Sequence, residues 1–307
     1  MTNTNAKPFN PDKVWVGITP TSWWNDDFLD IDIGIPFGQC VSEMALAGYA
    51  GCSVGHKYPT DTAVLTKELD QRGLRVSEPW TSTYFTIHEM HGKTIANFRT
   101  SLAFIKAMKG TDVVVAEMGG SSHQQPIALI PNRPIFTDQQ WDLLTNGLNE
   151  IGQIAADAGM RLCYHHHMGT GVMIRSDVDR LMASTDPKLV HLLLDTGHIY
   201  YAGGDPLALA RDYATRIKHV HLKNIRLPIL KKALAEQLSF KEAILAGIFT
   251  VPGDPDGGLE FAPILQALAD KDYAGWLVVE AEQNPANANP LHYATMGRKY
   301  MRDVIGI

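Results

Sequence analysis

The sequence MRLCYHHH, residues 160–167, is a short apolar run that ends in three consecutive histidines. Seven other runs resemble it in their length and in the polar residues at their ends. Most of the eight are continuously apolar, which is typical of parallel strands buried on both faces. The other seven are VWVGITP (14–20), GCSVGH (51–56), LRVSEPW (74–80), DVVVAEMGG (112–120), LVHLLLDTGH (189–198), IKHVHLKN (217–224) and GWLVVEAE (275–282).

Helical patterns separate these runs. The longest begins at Thr137, which with Gln140 forms a capping-box pattern, and it ends near Gly159. The other predicted helices span 39–48, 61–72, 92–109, 176–185, 205–215, 261–270 and 290–304. Strands that alternate with helices in this way predict an α/β fold, a single (β/α)₈ TIM barrel.

The domain boundaries follow from the same pattern. We expect one domain over residues 1–307, with a polar N-terminal tail at 1–13. The interval between the seventh and eighth strands is too long for one loop and one helix. It predicts an inserted helix at 229–247, followed by the irregular loop VPGDPDGG at 251–258.

Composition limits the class of function. The net charge of −6 provides no basic field for nucleic acid or for an anionic membrane, and no long apolar segment is present. The three cysteines form no CxxC motif, which favours free thiols in a reducing compartment. We therefore expect a cytoplasmic protein that acts on a small molecule. A homo-oligomer is compatible with the sequence.

Ligand-type side chains are concentrated at the ends of the predicted strands, where the active site of a TIM barrel forms. Such buried positions are normally apolar, and a divalent cation would explain the polar ones. They are His56, Lys57, Glu78, Trp80, Glu117, His165, His166, His167, Asp195, His198, His219, His221, Lys223, Asn224, Glu280 and Glu282.

The strand period of two selects metal ligands among them. His165 and His167 share one strand face, and His166 points toward the helix layer. The predicted ligand set takes one side chain from each of four successive strands: His165, Asp195, His221 and Glu280. Such a set suits manganese, cobalt or zinc better than magnesium or calcium.

Each predicted ligand also has a purely structural interpretation. A histidine here could be a core side chain bonded to a backbone carbonyl. Asp195 could cap the helix that follows it, and Glu280 could pair with a lysine.

Several motifs together resemble a known family. LDTGH (194–198), HVHLKN (219–224), the VPG loop and W-x-VVE (276–280) are similar to the xylose-isomerase-like barrels. Within that superfamily, YHHHMGTGV, IKHVHLKNIR, FTVPGD, GWLVVEAEQNPANANP and GITPTSWWNDD resemble the inosose dehydratases. The resemblance extends over residues 14–302, almost the whole chain.

The resemblance implies a metal held by Asp195, His221 and Glu280. In the related isomerases the fourth ligand is a glutamate on strand five, whose position here is His165. Loss of that carboxylate disfavours isomerisation and fits a one-way elimination. The resemblance leaves the role of Asn224 open.

The resemblance also implies a reaction. This is the removal of water from 2-keto-myo-inositol (scyllo-inosose), giving a cyclic diketone in myo-inositol catabolism. The family further suggests a glutathione requirement, for which the residues carry no physical signature.

Residue roles in such a reaction are expectations. The candidate bases are Glu117 and His167, and the candidate acids are Lys57 and His198, with Lys223 as a weaker one. The expected substrate-binding residues are Trp23, Asn25, His56, Trp80, Lys223 and Glu282.

Three other functions compete with this interpretation. A metal-dependent ketose or inosose epimerase or isomerase would share the fold and three ligands. A nuclease of the endonuclease IV type would need a multi-metal cluster and a basic groove, which the net charge disfavours. A non-catalytic sugar-binding barrel would have no reason to bring so many ionisable groups together.

Overall fold

The computed structural model describes residues 7–307 and contains the predicted barrel. Its main sheet has nine parallel strand segments. A separate antiparallel pair consists of β9 and β10. The strands are β1 (Val14–Ile18), β2 (Gly51–Cys52), β3 (Arg75–Val76), β4 (Trp80–Thr83), β5 (Asp112–Glu117), β6 (Arg161–His165), β7 (Val190–Asp195), β8 (Ile217–Leu222), β9 (Asn224–Ile225), β10 (Phe249–Thr250) and β11 (Gly275–Val279).

The nine segments of the main sheet correspond to the eight predicted strands. Their order is β3-β2-β1-β11-β8-β7-β6-β5-β4, so the first and last barrel strands, β1 and β11, lie side by side. Of the two segments at the ends of this order, β3 lies within the third predicted strand, 74–80, and β4 begins at its last residue and extends three residues beyond it. Pro79 lies between them and has no N–H to donate, which explains the interruption. The chain therefore closes the ring through residues 77–79.

Helices follow the strands, and all eight predicted helices are present. The capping box at Thr137 is confirmed, since its side chain accepts from the Gln140 N–H and the Gln140 side chain accepts from the Thr137 N–H. The helices are α1 (Phe37–Ala47), α2 (Thr62–Asp70), α3 (His91–Ala107), α4 (Asp138–Asp157), α5 (Arg175–Ser184), α6 (Thr196–Tyr201), α7 (Pro206–Tyr213), α8 (Leu227–Ala235), α9 (Phe240–Leu245), α10 (Phe261–Ala269) and α11 (Pro290–Ile305).

The inserted segment differs from the prediction. A single helix at 229–247 is wrong, because the chain forms two helices, α8 and α9. Gln237 between them has a positive φ of 53°, which ends the first helix. Ser239 then caps the second in a capping box with Glu242. The insertion packs Phe240 and Ile244 into a second hydrophobic cluster beside the cavity described below.

The N-terminal segment is partly attached to the barrel. Residues 1–6 of the predicted tail lie outside the described residues. Within the remainder, Phe9 is buried and packs edge-on against Tyr273, with ring centroids 6.3 Å apart. Among residues 7–307, every helix is too short or too polar to span a membrane.

Candidate active site and metal centre

A cavity of about 390 Å³ opens at the C-terminal end of the barrel strands. Its volume falls within the range of small-molecule sites. Three further predicted site residues, Asp195, His198 and Lys223, contact the lining side chains without lining the cavity themselves. The predicted residues that line it are Asn25, His56, Trp80, His165, His167, His221, Glu280 and Glu282.

The Asp195 carboxylate has two separate roles. It lies opposite His221 in the register of β7 and β8. Its Oδ1 accepts from the N–H of His198 at 2.8 Å and so caps α6. Its Oδ2 lies 3.3 Å from Nε2 of His165. The capping interpretation and the ligand interpretation are therefore compatible, and donor atoms of His165, Asp195 and His221 all lie within 4.8 Å of one another.

His221 and Glu280 add a second close pair. Nδ1 of His221 lies 2.6 Å from Oε2 of Glu280, yet neither buried atom forms a hydrogen bond with any residue that the structure describes. The other ring nitrogen, Nε2, lies 3.2 Å from Oε1 of Glu78 and is hydrogen-bonded there. Buried polar atoms without a hydrogen bond are costly, and a shared cation would satisfy both. The four predicted ligands therefore fit a divalent metal.

Lys223 places a buried ammonium group beside this cluster. Its Nζ lies 2.8 Å from Glu282, 2.9 Å from Nε2 of His198 and 3.4 Å from Glu280. Burial alone would lower the pKa of Lys223, but the surrounding carboxylates outweigh it and raise the pKa. Three carboxylates, Asp195, Glu280 and Glu282, thus surround one ammonium group. A divalent cation would balance the remaining negative charge.

The three consecutive histidines have different surroundings. Nδ1 of His167 lies 3.0 Å from the Met168 carbonyl oxygen, which can only accept. Nδ1 therefore carries the proton, and Nε2 is left with a lone pair. Burial, followed by the neighbouring His123 and His165, holds the pKa of His167 well below its usual value. His166 lies off the cavity, where its Nε2 accepts from the Asp195 N–H.

Glu117 lies away from the cavity, contrary to its proposed role as a base. Its carboxylate is fully buried and accepts five hydrogen bonds. The donors are the side chains of Thr83 and Thr86 and the backbone N–H groups of Phe85, Thr86 and Gly119. These contacts fix the loop after β4, and the carboxylate is not part of the cavity lining.

Two other predicted site residues also have their polar atoms bound to residues outside the cavity. Nζ of Lys57 pairs with Asp32 at 2.6 Å and donates to the Ile35 carbonyl at 2.9 Å. Trp23 is completely buried, and its Nε1 donates to Glu43 at 2.6 Å. Neither lines the cavity.

Sequence reasoning missed several cavity residues. Glu78 is one of the strand-end side chains of the sequence analysis, but no role is predicted for it there. It lines the cavity, and its carboxylate lies between the rings of His219 and His221. Asp27 also lines the cavity, and its Oδ1 lies 3.3 Å from Nε2 of the buried His123. His123 follows none of the apolar runs directly, so the strand-end criterion could not find it.

Comparison with known proteins gives the chain a family. The family model described as a xylose isomerase-like TIM barrel matches residues 41–303. The inosose dehydratase of Geobacillus thermodenitrificans is 46% identical over 300 residues, which cover 97% of this chain and 100% of the relative. That of Clostridium botulinum strain Alaska E43 is 46% identical with the same coverage.

Solved structures agree with the observed fold. An IOLI protein with a bound zinc atom has a TM-score of 0.70 at 14% identity, covering 95% of this chain and 98% of its own. A xylose isomerase-like TIM barrel protein from Mycobacterium smegmatis in complex with magnesium also has a TM-score of 0.70 at 14% identity, covering 95% and 96%. At such low identity these two structures support the fold alone. From the match to the family model and the whole-length sequence relatives, the chain belongs to the inosose dehydratase family of xylose isomerase-like TIM barrels.

Proposed function

We propose that this protein is a hydro-lyase that removes water from 2-keto-myo-inositol to give a cyclic diketone in inositol catabolism. The observation that carries the proposal is the arrangement of one cavity. Three of the four expected metal ligands and His167, with its unprotonated Nε2, line the same cavity, and the fourth ligand, Asp195, contacts His165. This combination suits a reaction that begins with removal of a proton next to a ketone.

The donor set consists of two imidazoles and two carboxylates, from His165, Asp195, His221 and Glu280. It suits manganese or cobalt, with zinc as a further candidate, better than magnesium or calcium. When bound there, the ion supplies a Lewis acid that makes the carbon next to the ketone more acidic.

His167 is the proposed base. It lines the cavity, its Nδ1–H donates to the Met168 carbonyl, and its low pKa keeps the ring neutral. It would take the proton from the carbon next to the ketone. The electron pair of that C–H bond forms the new double bond, and the hydroxyl on the following carbon leaves with its own bonding pair. Protonation of that hydroxyl completes the loss of water and leaves the enol form of the cyclic diketone, which becomes the diketone by moving its enol proton to carbon.

Glu282, to which the Lys223 ammonium group donates, is the proposed source of that proton, because burial raises the pKa of Glu282 to about 7. The ammonium group donates to Glu282 at 2.8 Å, and Glu282 lines the cavity. The other candidates are less suitable by position. His198 lies outside the cavity lining, and its Nε2 accepts from Lys223. Lys57 is paired with Asp32.

Other side chains that line the cavity would bind the hydroxyls of the substrate. Asn25 accepts from the N–H groups of Asp27 and Phe28, and its buried Nδ2 has no hydrogen-bond partner among residues 7–307. Asp26 holds the ring of His56. Trp80 packs edge-on against His165 and His167 and would form one side of the ring-binding surface.

The proposal is tested by following 2-keto-myo-inositol in deuterated water by mass spectrometry. Dehydration predicts a product lighter than the substrate by one water. Unreacted ketose that gains deuterium without losing water would instead indicate an epimerase or isomerase.

A further inference from the structure

A row of charged and ionisable groups crosses the barrel interior below the metal ligands. Arg161 forms two hydrogen bonds with Asp112, at 2.6 and 2.9 Å. The other Asp112 contact is with Nδ1 of His219, 3.1 Å from Oδ2. Nε2 of His219 lies 3.2 Å from Oε2 of Glu78, although neither atom forms a hydrogen bond with any residue that the structure describes. The other oxygen of Glu78, Oε1, lies 3.2 Å from Nε2 of His221 and is hydrogen-bonded there. We call these five residues the ion row.

The ion row connects the two ends of the barrel. Asp112 and Arg161 are register partners at the start of β5 and β6, on the side away from the cavity. Glu78 lies at the other end, in the interruption between β3 and β4, and lines the cavity. Asp112 and His219 are completely buried and Glu78 is 2% exposed. A barrel interior is normally filled with branched apolar side chains, and buried ions are often no more stabilising than apolar ones. A contribution to folding stability therefore does not explain why the barrel interior holds charged residues at these positions.

The orientation of one ring provides a reason. A neutral imidazole carries a single proton, and a hydrogen bond at one nitrogen decides which nitrogen keeps its lone pair. We propose that Glu78 is a positioning residue that holds the proton of His221 on Nε2, so that Nδ1 faces Glu280 and Asp195 as a metal ligand. His219, Asp112 and Arg161 hold Glu78 in place. This inference rests on the proposed metal site.

A second cation is the rival interpretation, because donor atoms of Glu78, His219 and His221 also lie within 4.8 Å of one another. Oε2 of Glu78 and Nε2 of His219 also lack a hydrogen bond with any described residue, which a cation there would remedy. Such a cation would have to share His221 with the first one. The shared ring would then bind a metal through each nitrogen and carry no proton. The positioning role needs only an ordinary neutral imidazole.

The test measures the zinc dissociation constant of the purified protein by competition with a chromophoric chelator. For Glu78→Gln we expect zinc binding to weaken by about 10–100-fold, with one ion per chain, as is typical when an outer partner of a ligand is lost. The matched control is Glu117→Gln, the same substitution at a buried carboxylate away from the cavity. Its zinc affinity should equal that of the unmodified protein, whatever its stability.

His219→Gln provides a second, independent variant, which also serves if Glu78→Gln fails to fold. Because His219 acts through Glu78, its loss should weaken zinc binding less, and the double variant should bind zinc no more weakly than Glu78→Gln. Nitrogen-15 NMR of the zinc-loaded protein should place the His221 proton on Nε2.

Three results would overturn the inference. These are an unchanged zinc affinity in Glu78→Gln and His219→Gln, a His221 proton on Nδ1, and two zinc ions per chain. Zinc binding is measured without substrate, so the outcome is separable from the proposed reaction. Weakened zinc binding in a protein that dehydrates no inosose would support the positioning role and reject the proposed function.

Discussion

Oδ2 of Asp195 lies 3.3 Å from Nε2 of His165, across two neighbouring parallel strands. The other oxygen of the same carboxylate caps α6, so the carboxylate orientation is set by the backbone before any ligand binds. Fixed donors of this kind are what a metal site requires. His165 ends β6, which is the fifth predicted barrel strand. At this position the resemblance implies a glutamate in the related isomerases.

The consecutive histidines allow a matched comparison of metal binding. His165→Gln removes an expected ligand, and His166→Gln changes a ring that lies off the cavity. We expect the first to weaken metal binding by more than about 100-fold, beyond the effect of losing an outer partner. The second should retain the metal, and its glutamine Oε1 can replace Nε2 as acceptor for the Asp195 N–H, so its unfolding free energy should fall only by the roughly 0.5–3 kcal/mol typical of a buried point change.

Metal titration and urea unfolding of both variants provide the measurements. Equal metal affinity in the two variants would remove His165 from the site.

His167→Gln tests the proposed base. A general base typically contributes about 10²–10⁴-fold, so kcat should fall by that factor. The metal should remain bound, because His167 is not one of the four expected ligands. Steady-state kinetics together with metal analysis separates the two effects. Full turnover in this variant would show that another group takes the proton.

Asn25→Asp tests the substrate-binding wall. The variant keeps Oδ1, which accepts from Asp27 and Phe28, and replaces the unpartnered donor Nδ2 with a second carboxylate oxygen that can only accept and shares a negative charge. If Nδ2 donates to a substrate hydroxyl, KM should rise about tenfold, equivalent to ~1.4 kcal/mol. The change in kcat should be smaller. Unchanged KM would mean that this amide does not contact the substrate.

Asp112→Asn tests the ion row through the pH dependence of stability. Burial would raise the pKa of Asp112, but His219 and Arg161 outweigh it and lower the pKa below its unfolded value of about 3.9. The stabilisation is therefore fully present above about pH 4 and is lost as the pH falls through the folded pKa. At neutral pH we expect the variant to lose about 3–5 kcal/mol, the usual cost of breaking a buried pair.

Urea unfolding between about pH 3 and 7 checks this sign, because the expected difference from the unmodified protein shrinks below about pH 4. A difference that stays constant or grows toward low pH would contradict the assigned ion pairs.

The sequence was sufficient for the barrel and for much of the site. Eight short runs, most of them continuously apolar, located the barrel strands, since burial on both faces leaves that pattern directly in the sequence. The strand period of two placed His165 and His167 at the cavity and His166 away from it. Both inferences depend only on local geometry.

Tertiary partners explain the failures. Glu117 ends a strand, as the cavity residues do, but four donors from β4 and the loop after it, together with the Gly119 N–H, bind its carboxylate. Asp32 binds Lys57 in the same way. The split of the inserted segment depends on a positive φ at Gln237, a conformation that glutamine rarely adopts. Neither these side-chain partners nor this backbone angle can be identified from residue spacing.

We expect this protein to dehydrate an inosose with a metal held by His165, Asp195, His221 and Glu280. The most direct measurement strips the protein with a chelator and titrates manganese back while following water loss from 2-keto-myo-inositol. We expect no reaction in the stripped protein and full recovery at one ion per chain, with no recovery in Glu280→Gln at the same manganese concentration. Undiminished dehydration by the metal-free protein would contradict this expectation.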